Sequence, residues 1–292
     1  MSTLLKSVRD YFSLITFSHT VFAMPFALIG FTLAVSEDEY RFNLRLLFLI
    51  ILCMIFARNA AMGYNRIADS RFDAINPRTK NREIPAGIIS VQAAFAFVII
   101  NSILFVATTG FINILTLCLS PIALIIILGY SLSKRITSLS HFILGLGLSL
   151  APVGAYISVT GSFSILPVIY SLIVITWVSG FDIIYALQDD EFDRSNRLYS
   201  IPAVRGRKKA ILISLIVHIF TIILIIIAGY IGNGGILFLI GAIIFISLLI
   251  YQHLIVKHDD LSRVNVAFGQ TNGIASIFFA LCAILDLIFK NL

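Results

Sequence analysis

The sequence predicts an all-α, polytopic membrane protein. Of its 292 residues, 59% are hydrophobic and 12% charged, and the mean hydropathy is +1.00. A soluble domain carries about 25% charged residues and has no means of hiding so much apolar surface. Apolar runs of about 18 residues or more, enough to cross a ~30 Å hydrocarbon core, recur along the chain. The ~10-residue alternating segments of a membrane β-barrel are missing from it.

Nine helices follow from hydropathy and punctuation: 12–35, 44–68, 90–109, 112–132, 139–160, 165–187, 209–231, 234–256 and 267–289. The first follows "MSTLLKSVRD" without a small-residue cleavage site, so it is predicted to be retained rather than removed as a signal peptide. Polar connectors such as "TTGFIN", "TGSFS" and "GYIGNGG" separate some helices. Charged loops at 69–89, 188–208 and 257–263 separate others. Pro25 and Pro152 fall inside apolar helices and predict kinks. Cys53, Cys118 and Cys282 lie in three different apolar runs, without CxxC spacing, and are expected to be small packing residues. Residues 1–292 form one predicted domain. An acidic motif follows the second member of helices 1–4 and again of helices 5–8, which predicts an internal repeat with a ninth helix appended.

Basic residues set the orientation. Eighteen of the 21 lie on the side that holds Lys6 and Arg9, against Arg41, Arg45 and Lys290 on the other. The positive-inside rule places the N-terminus and the charged loops in the cytoplasm and, with nine helices, the C-terminus outside. The net charge of +6 belongs to this topology and does not indicate nucleic-acid binding.

Two passages carry the chemistry. In "NRIADSRFD", Asn65, Asp69 and Asp73 are spaced four apart. On a continued second helix each step drifts only ~40°, so they share a face. In "DIIYALQDDEFD", Asp182, Asp189 and Asp193 are spaced seven and four, again a single stripe, with Tyr185 beside it. Carboxylates on one helix face repel, and near lipid they need a cation to offset them. Carboxylate and amide oxygens suit Mg²⁺, which keeps waters and substrate phosphate oxygens in its shell. Both motifs leave the membrane on the same side, where "YSLSKR" also arrives. Two facing stripes would hold a diphosphate through metal ions, whereas an ordinary charged loop would not repeat the register twice.

These residues resemble the UbiA superfamily of intramembrane prenyltransferases. "NRIADSRFD" fits its NxxxDxxxD motif and "DIIYALQDDEFD" its DxxYxxxDxxxD motif. The likeness extends through "SHTVFAMPFAL", Arg58, "NREIPAG", "YSLSKRIT" and "APVGAY", and looks closest to the bacterial 4-hydroxybenzoate polyprenyltransferase-like branch. The resemblance implies a nine-helix bundle around a central cavity in the bacterial inner membrane. It also implies Mg²⁺-dependent transfer of a polyprenyl chain from its diphosphate to an aromatic acceptor. Asn65, Asp69, Asp73, Asp182, Asp189 and Asp193 would bind the metal–diphosphate. Lys134, Tyr130, Tyr185 and either Arg78 or Arg82 would assist at the donor, and Arg58 would lie near the acceptor. Two acceptors fit that carry-over: 4-hydroxybenzoate, for ubiquinone, and a dihydroxynaphthoate, for menaquinone. A different class, a cation-coupled transporter, would need acids at the midplane rather than at one face.

Other polar residues have simpler expectations. His19 is as well explained by a hydrogen bond inside its helix as by substrate contact, and His218 by bonding between helices. Trp177 is expected to pack. Asp286 is expected to reach the interface, and "RGRKK" at 205–209 to attract anionic lipid.

Overall fold

The computed structural model describes residues 11, 13–14 and 22–290, and every regular element among them is helical. The early part of the first expected helix, with His19, lies outside them. Helix α1 spans Met24–Val35, with Pro25 in its first turn rather than its interior. There the missing N–H would be unpaired in any case, so no kink results.

Helix α2, Leu44–Ile75, runs seven residues past its expected end. Asn43 starts it, its Oδ1 accepting the Leu46 N–H at 3.2 Å. At 1.5 Å per residue it is ~48 Å long, well beyond a ~30 Å hydrocarbon core. Its last turns, which carry Asn65, Asp69 and Asp73, therefore form a helical post rather than the start of a loop. Helices α3 (Val91–Gly110) and α4 (Ile114–Ser133) begin at Ser90 and Asn113, whose side chains accept N–H bonds from the first turn. Helix α5 spans Ser140–Thr160 and closes at Gly161, whose φ of 68° suits a residue without Cβ.

Helix α6, Ile165–Tyr185, passes through a 3₁₀ turn at Ala186–Asp189 into the short α7, Asp190–Ser195. The second motif is thus not one α-helical stripe. A 3₁₀ turn advances about 120° per residue instead of 100°, and this rotates Asp189 and Asp193 away from the line of Asp182. Helix α8 (Ile201–Arg205) leads into α9 (Arg207–Ile231), followed by α10 (Ile236–Ile255). A π-helical turn, Val266–Thr271, precedes α11, Asn272–Lys290.

Among the described residues eight helical segments are long and apolar enough to span a membrane, and α1 is a shorter apolar helix. Ile103, Ile125, Phe220, Ile226 and Leu239 are exposed around the bundle, a lipid-facing belt far larger than water tolerates. The protein is an integral membrane protein. Helix α6 is the central member, packed against α5 and α9, while α1 packs on α5. At Gly30 a Cβ would lie 2.0 Å from the Pro152 carbonyl oxygen, so only glycine admits this approach of α1 to α5. Trp177, Phe26, Phe245 and Phe279 fill the core. The three cysteines are free, and Cys118 is exposed rather than packed.

Two charges near the end of the chain have structural duties. Asp286 does not stand alone at the interface: it accepts the N–H groups of Gly235 at 2.8 Å and Phe238 at 3.2 Å, capping α10. Lys290 donates to the carbonyls of Gly232 and Asn233 at the end of α9. Each sign matches the helix dipole it meets. His218 bonds between helices as expected. Its Nε2 faces the Trp177 carbonyl at 3.2 Å and its Nδ1 faces Nε2 of His253 at 2.8 Å.

Candidate active site

The projecting end of α2, the loop after it, the end of α4 and the α6–α7 junction meet on one face of the bundle. Asn76, which ends α2, donates to Asp189 Oδ1 at 3.2 Å. Arg78 makes a two-pronged contact with the same carboxylate, Nε to Oδ1 at 3.0 Å and Nη2 to Oδ2, and gives Nη1 to the Tyr185 hydroxyl at 3.0 Å. Lys134, just past α4, places Nζ 3.6 Å from Asp193 Oδ2. Arg135 approaches Asp69 at 3.7 Å and also donates to the Ala68 carbonyl. The two acidic motifs, 113 residues apart at the Asn76–Asp189 bond, therefore share one site.

Inside the first motif, Asn65 Nδ2 donates to Asp69 Oδ2 at 3.1 Å, which the four-residue spacing on one face anticipates. Asp73 is buried and takes both its oxygens to Arg82 Nη1, at 2.8 and 2.9 Å. Inside the second, Asp182 faces His141 rather than Asp189 or Asp193, with Nδ1 and Oδ2 2.6 Å apart. Arg58 and Tyr130 are electrostatic neighbours one level deeper, and Tyr130 also feels Asp69. Contacts connect Asn65, Asp69, Tyr185, Asp189, Asp193 and Lys134 around the junction, and Asp182 faces His141 beside it. Arg58 and Tyr130 join through charge alone, while Arg78 pairs with Asp189 and Arg82 with Asp73. Each of those two arginines serves a different motif.

Burial alone would disfavour the charge on Lys134, but Asp193, Asp182, Asp189 and Asp69 outweigh it and hold its pKa above the usual lysine value. Arg78 behaves alike: burial opposes its charge, and the Asp189 carboxylate more than restores it. Both are held cationic by the carboxylates beside them.

The donor set fits an oxygen-seeking divalent cation. It offers five carboxylates and one amide oxygen, and Asp193 Oδ2 is a buried acceptor without a hydrogen-bond partner. Among the described residues no three acidic, histidine or cysteine side chains converge into a metal-binding group. The carboxylates are turned to cations: Asp69 to Arg135, Asp73 to Arg82, Asp189 to Arg78 and Asp193 to Lys134.

Three contributors escaped the sequence reading. His141 is a solitary histidine at a helix start, with no spacing to mark it. Asn76 and Arg135 adjoin expected residues and are visible only once the chain folds. Arg207, part of the basic run expected to attract lipid, is instead engaged with Asp190 at 2.7 and 3.0 Å and with Glu191 at 3.1 Å, bracing α7 on α9.

The fold and this paired acidic site define a polytopic helical membrane protein with a charged site at one end of its bundle. Residues 23–282 match the UbiA prenyltransferase family, and the chain belongs to that family. It is a prenyltransferase. Relatives include a 4-hydroxybenzoate octaprenyltransferase of Aliivibrio fischeri, 30% identical over 80% of this chain and 81% of that one. Another, from Nitrosomonas europaea, is 29% identical over 84% of each. The apo structure of a UbiA homologue from Aeropyrum pernix K1 has a TM-score of 0.80 at 30% identity and covers 94% of this chain and 98% of its own. A UbiA homologue from Archaeoglobus fulgidus bound to DMAPP and Mg²⁺ has a TM-score of 0.77, covering 96% and 99%; at 19% identity it speaks to the fold.

Proposed function

We propose that the protein transfers a polyprenyl chain from polyprenyl diphosphate to 4-hydroxybenzoate, with Mg²⁺, in respiratory quinone biosynthesis at a bacterial inner membrane. The observation that carries this is the interleaving of two acidic motifs with four cations at one end of the bundle. The names of the relatives support the acceptor, and the Archaeoglobus structure supports the donor class and the metal.

Asn65, Asp69, Asp73, Asp182, Asp189 and Asp193 hold the metal in this reading. Mg²⁺, when bound, acts as a Lewis acid on the diphosphate and neutralises the charge that grows as the allylic C–O bond breaks. Lys134, with Arg78 or Arg82, donates hydrogen bonds to the same departing oxygens. Tyr185, stacked on Phe268 at 4.0 Å, and Phe181 beyond it form an aromatic wall that shields an allylic cation from water. Arg58 attracts the acceptor's carboxylate. A ring carbon bonds to the allylic carbon, and its proton passes to a second-motif carboxylate, Asp182 or Asp193, restoring aromaticity. The isoprenoid tail stays in lipid while its charged head sits at the bundle end.

Purified protein supplied with octaprenyl diphosphate, 4-hydroxybenzoate and Mg²⁺ should yield the prenylated acid by mass spectrometry, and EDTA should stop it. Product only with a dihydroxynaphthoate would move the acceptor to the menaquinone branch. No diphosphate release with any aromatic acceptor, alongside ion flux in liposomes, would overturn the reading.

A further inference from the structure

His141 lies in the first turn of α5 and is fully buried, outside every motif of the site. The N–H of Ile201, which opens α8, points at its Nε2 at 3.3 Å. A backbone N–H can only donate, so Nε2 holds the lone pair and the neutral ring carries its proton on Nδ1. That proton is directed at Asp182 Oδ2, 2.6 Å away. The residue before Ile201 is Ser200, itself buried and a near neighbour of Asp193; its hydroxyl accepts the Ala203 N–H at 3.4 Å. One imidazole therefore links the first carboxylate of the second motif to the start of α8, the segment beside its last.

From this we propose that His141 is a positioning residue of the metal–diphosphate site, committing Asp182 Oδ2 to itself so that Asp182 offers the metal one oxygen in a fixed direction. The interruption of the motif by the 3₁₀ turn at Ala186–Asp189 gives this link its purpose. A continuous helix would fix Asp182 relative to Asp193 by its own geometry. A broken one needs a cross-brace, and His141, reaching from a different helix, supplies it. Partners of this kind orient a ligand and tune its basicity, and their loss typically weakens metal binding about 10–100-fold.

The inference rests on the prenyltransferase reading of the site. Its test uses full-length protein in detergent with Mn²⁺ and geranyl thiodiphosphate, binding being followed by electron paramagnetic resonance. Three variants separate orientation from bulk. His141→Asn keeps an N–H donor at the Nδ1 position but loses the acceptor for Ile201. His141→Gln keeps an acceptor for Ile201 but places no donor at Asp182. His141→Leu loses both. Mn²⁺ affinity should fall by about tenfold or more in H141Q and H141L, and H141N should stay within about threefold of wild type because one donor replaces another. Thermal stability should run the other way, H141Q above H141N. A purely structural role makes the two orders agree, and that agreement, or wild-type affinity in a folded H141L, would overturn the proposal. Should H141L not fold, the H141N–H141Q contrast decides alone. Wild-type protein that binds no Mn²⁺ with the thiodiphosphate would overturn the site reading itself, and this proposal with it.

Discussion

Removing Arg78 tests whether the loop after the first motif is fastened to the second. Its guanidinium holds both oxygens of Asp189, whose side chain is only 11% exposed, and gives a third bond to Tyr185. Stripping one partner from a buried pair costs about 3–5 kcal/mol. Here the arginine itself is 34% exposed, so water screens part of the interaction. Asp189 also keeps Asn76 at 3.2 Å after the loss, with Lys134 nearby. Those two facts bring the expected cost of Arg78→Met down to about 2 kcal/mol. Asp189→Asn leaves the more exposed partner unpaired and should cost about 1 kcal/mol. The double variant strands neither charge, so it should be less destabilised than the summed singles by about 1–1.5 kcal/mol. Equilibrium unfolding of the four proteins in mixed micelles, without Mg²⁺, measures that coupling. A coupling below about 0.5 kcal/mol, within the error of simple additivity, would refute the claim that this pair fastens the two motifs.

Asp69→Ala should abolish diphosphate release while the protein still inserts in the membrane and melts normally; an active variant would remove Asp69 from the site. Lys134→Met should lower kcat/KM for the donor by about 100-fold, because a fixed donor to the departing charge is lost, with acceptor KM unchanged; steady-state kinetics with each substrate varied checks it. Asp286→Ala uncaps α10 and should destabilise by about 1 kcal/mol without touching kcat, as unfolding and turnover measured together would show. Gly30→Leu should abolish expression of folded protein, since its Cβ would strike the Pro152 backbone, and size-exclusion profiles report this directly.

The parts legible in the sequence were those with a period or a charge asymmetry. Runs of apolar residues marked most of the spanning helices to within a few positions, the start of the first lying outside the described residues. The four-residue spacing placed Asn65 and Asp69 on one face, as their hydrogen bond shows. Helix α2 outruns its hydropathy because hydropathy falls at the first charged residues, whereas helix propagation depends on backbone bonding and stops only at Asn76. The 3₁₀ turn at Ala186–Asp189 left no mark on spacing, so the second motif looked like a single stripe. His141 and Asp286 were illegible for a common reason. Each acts across the fold on a partner dozens of residues away, and a lone polar residue in an apolar run carries no trace of the group it will meet.

The pairing within the site also explains how so many charges rest at a membrane boundary. Asp69, Asp73, Asp189 and Asp193 each face their own cation, and Asp182 faces a neutral imidazole, so five carboxylates meet four cations. Such a cluster is close to electrically balanced and can persist beside lipid, where unpaired carboxylates could not. A diphosphate alone would upset that balance, because it would compete with the carboxylates for the same arginines and lysine. Divalent metal bound with it would restore the balance, with Asp69, Asp73, Asp189 and Asp193 offering oxygens to the metal and Lys134 and the arginines offering donors to the phosphate.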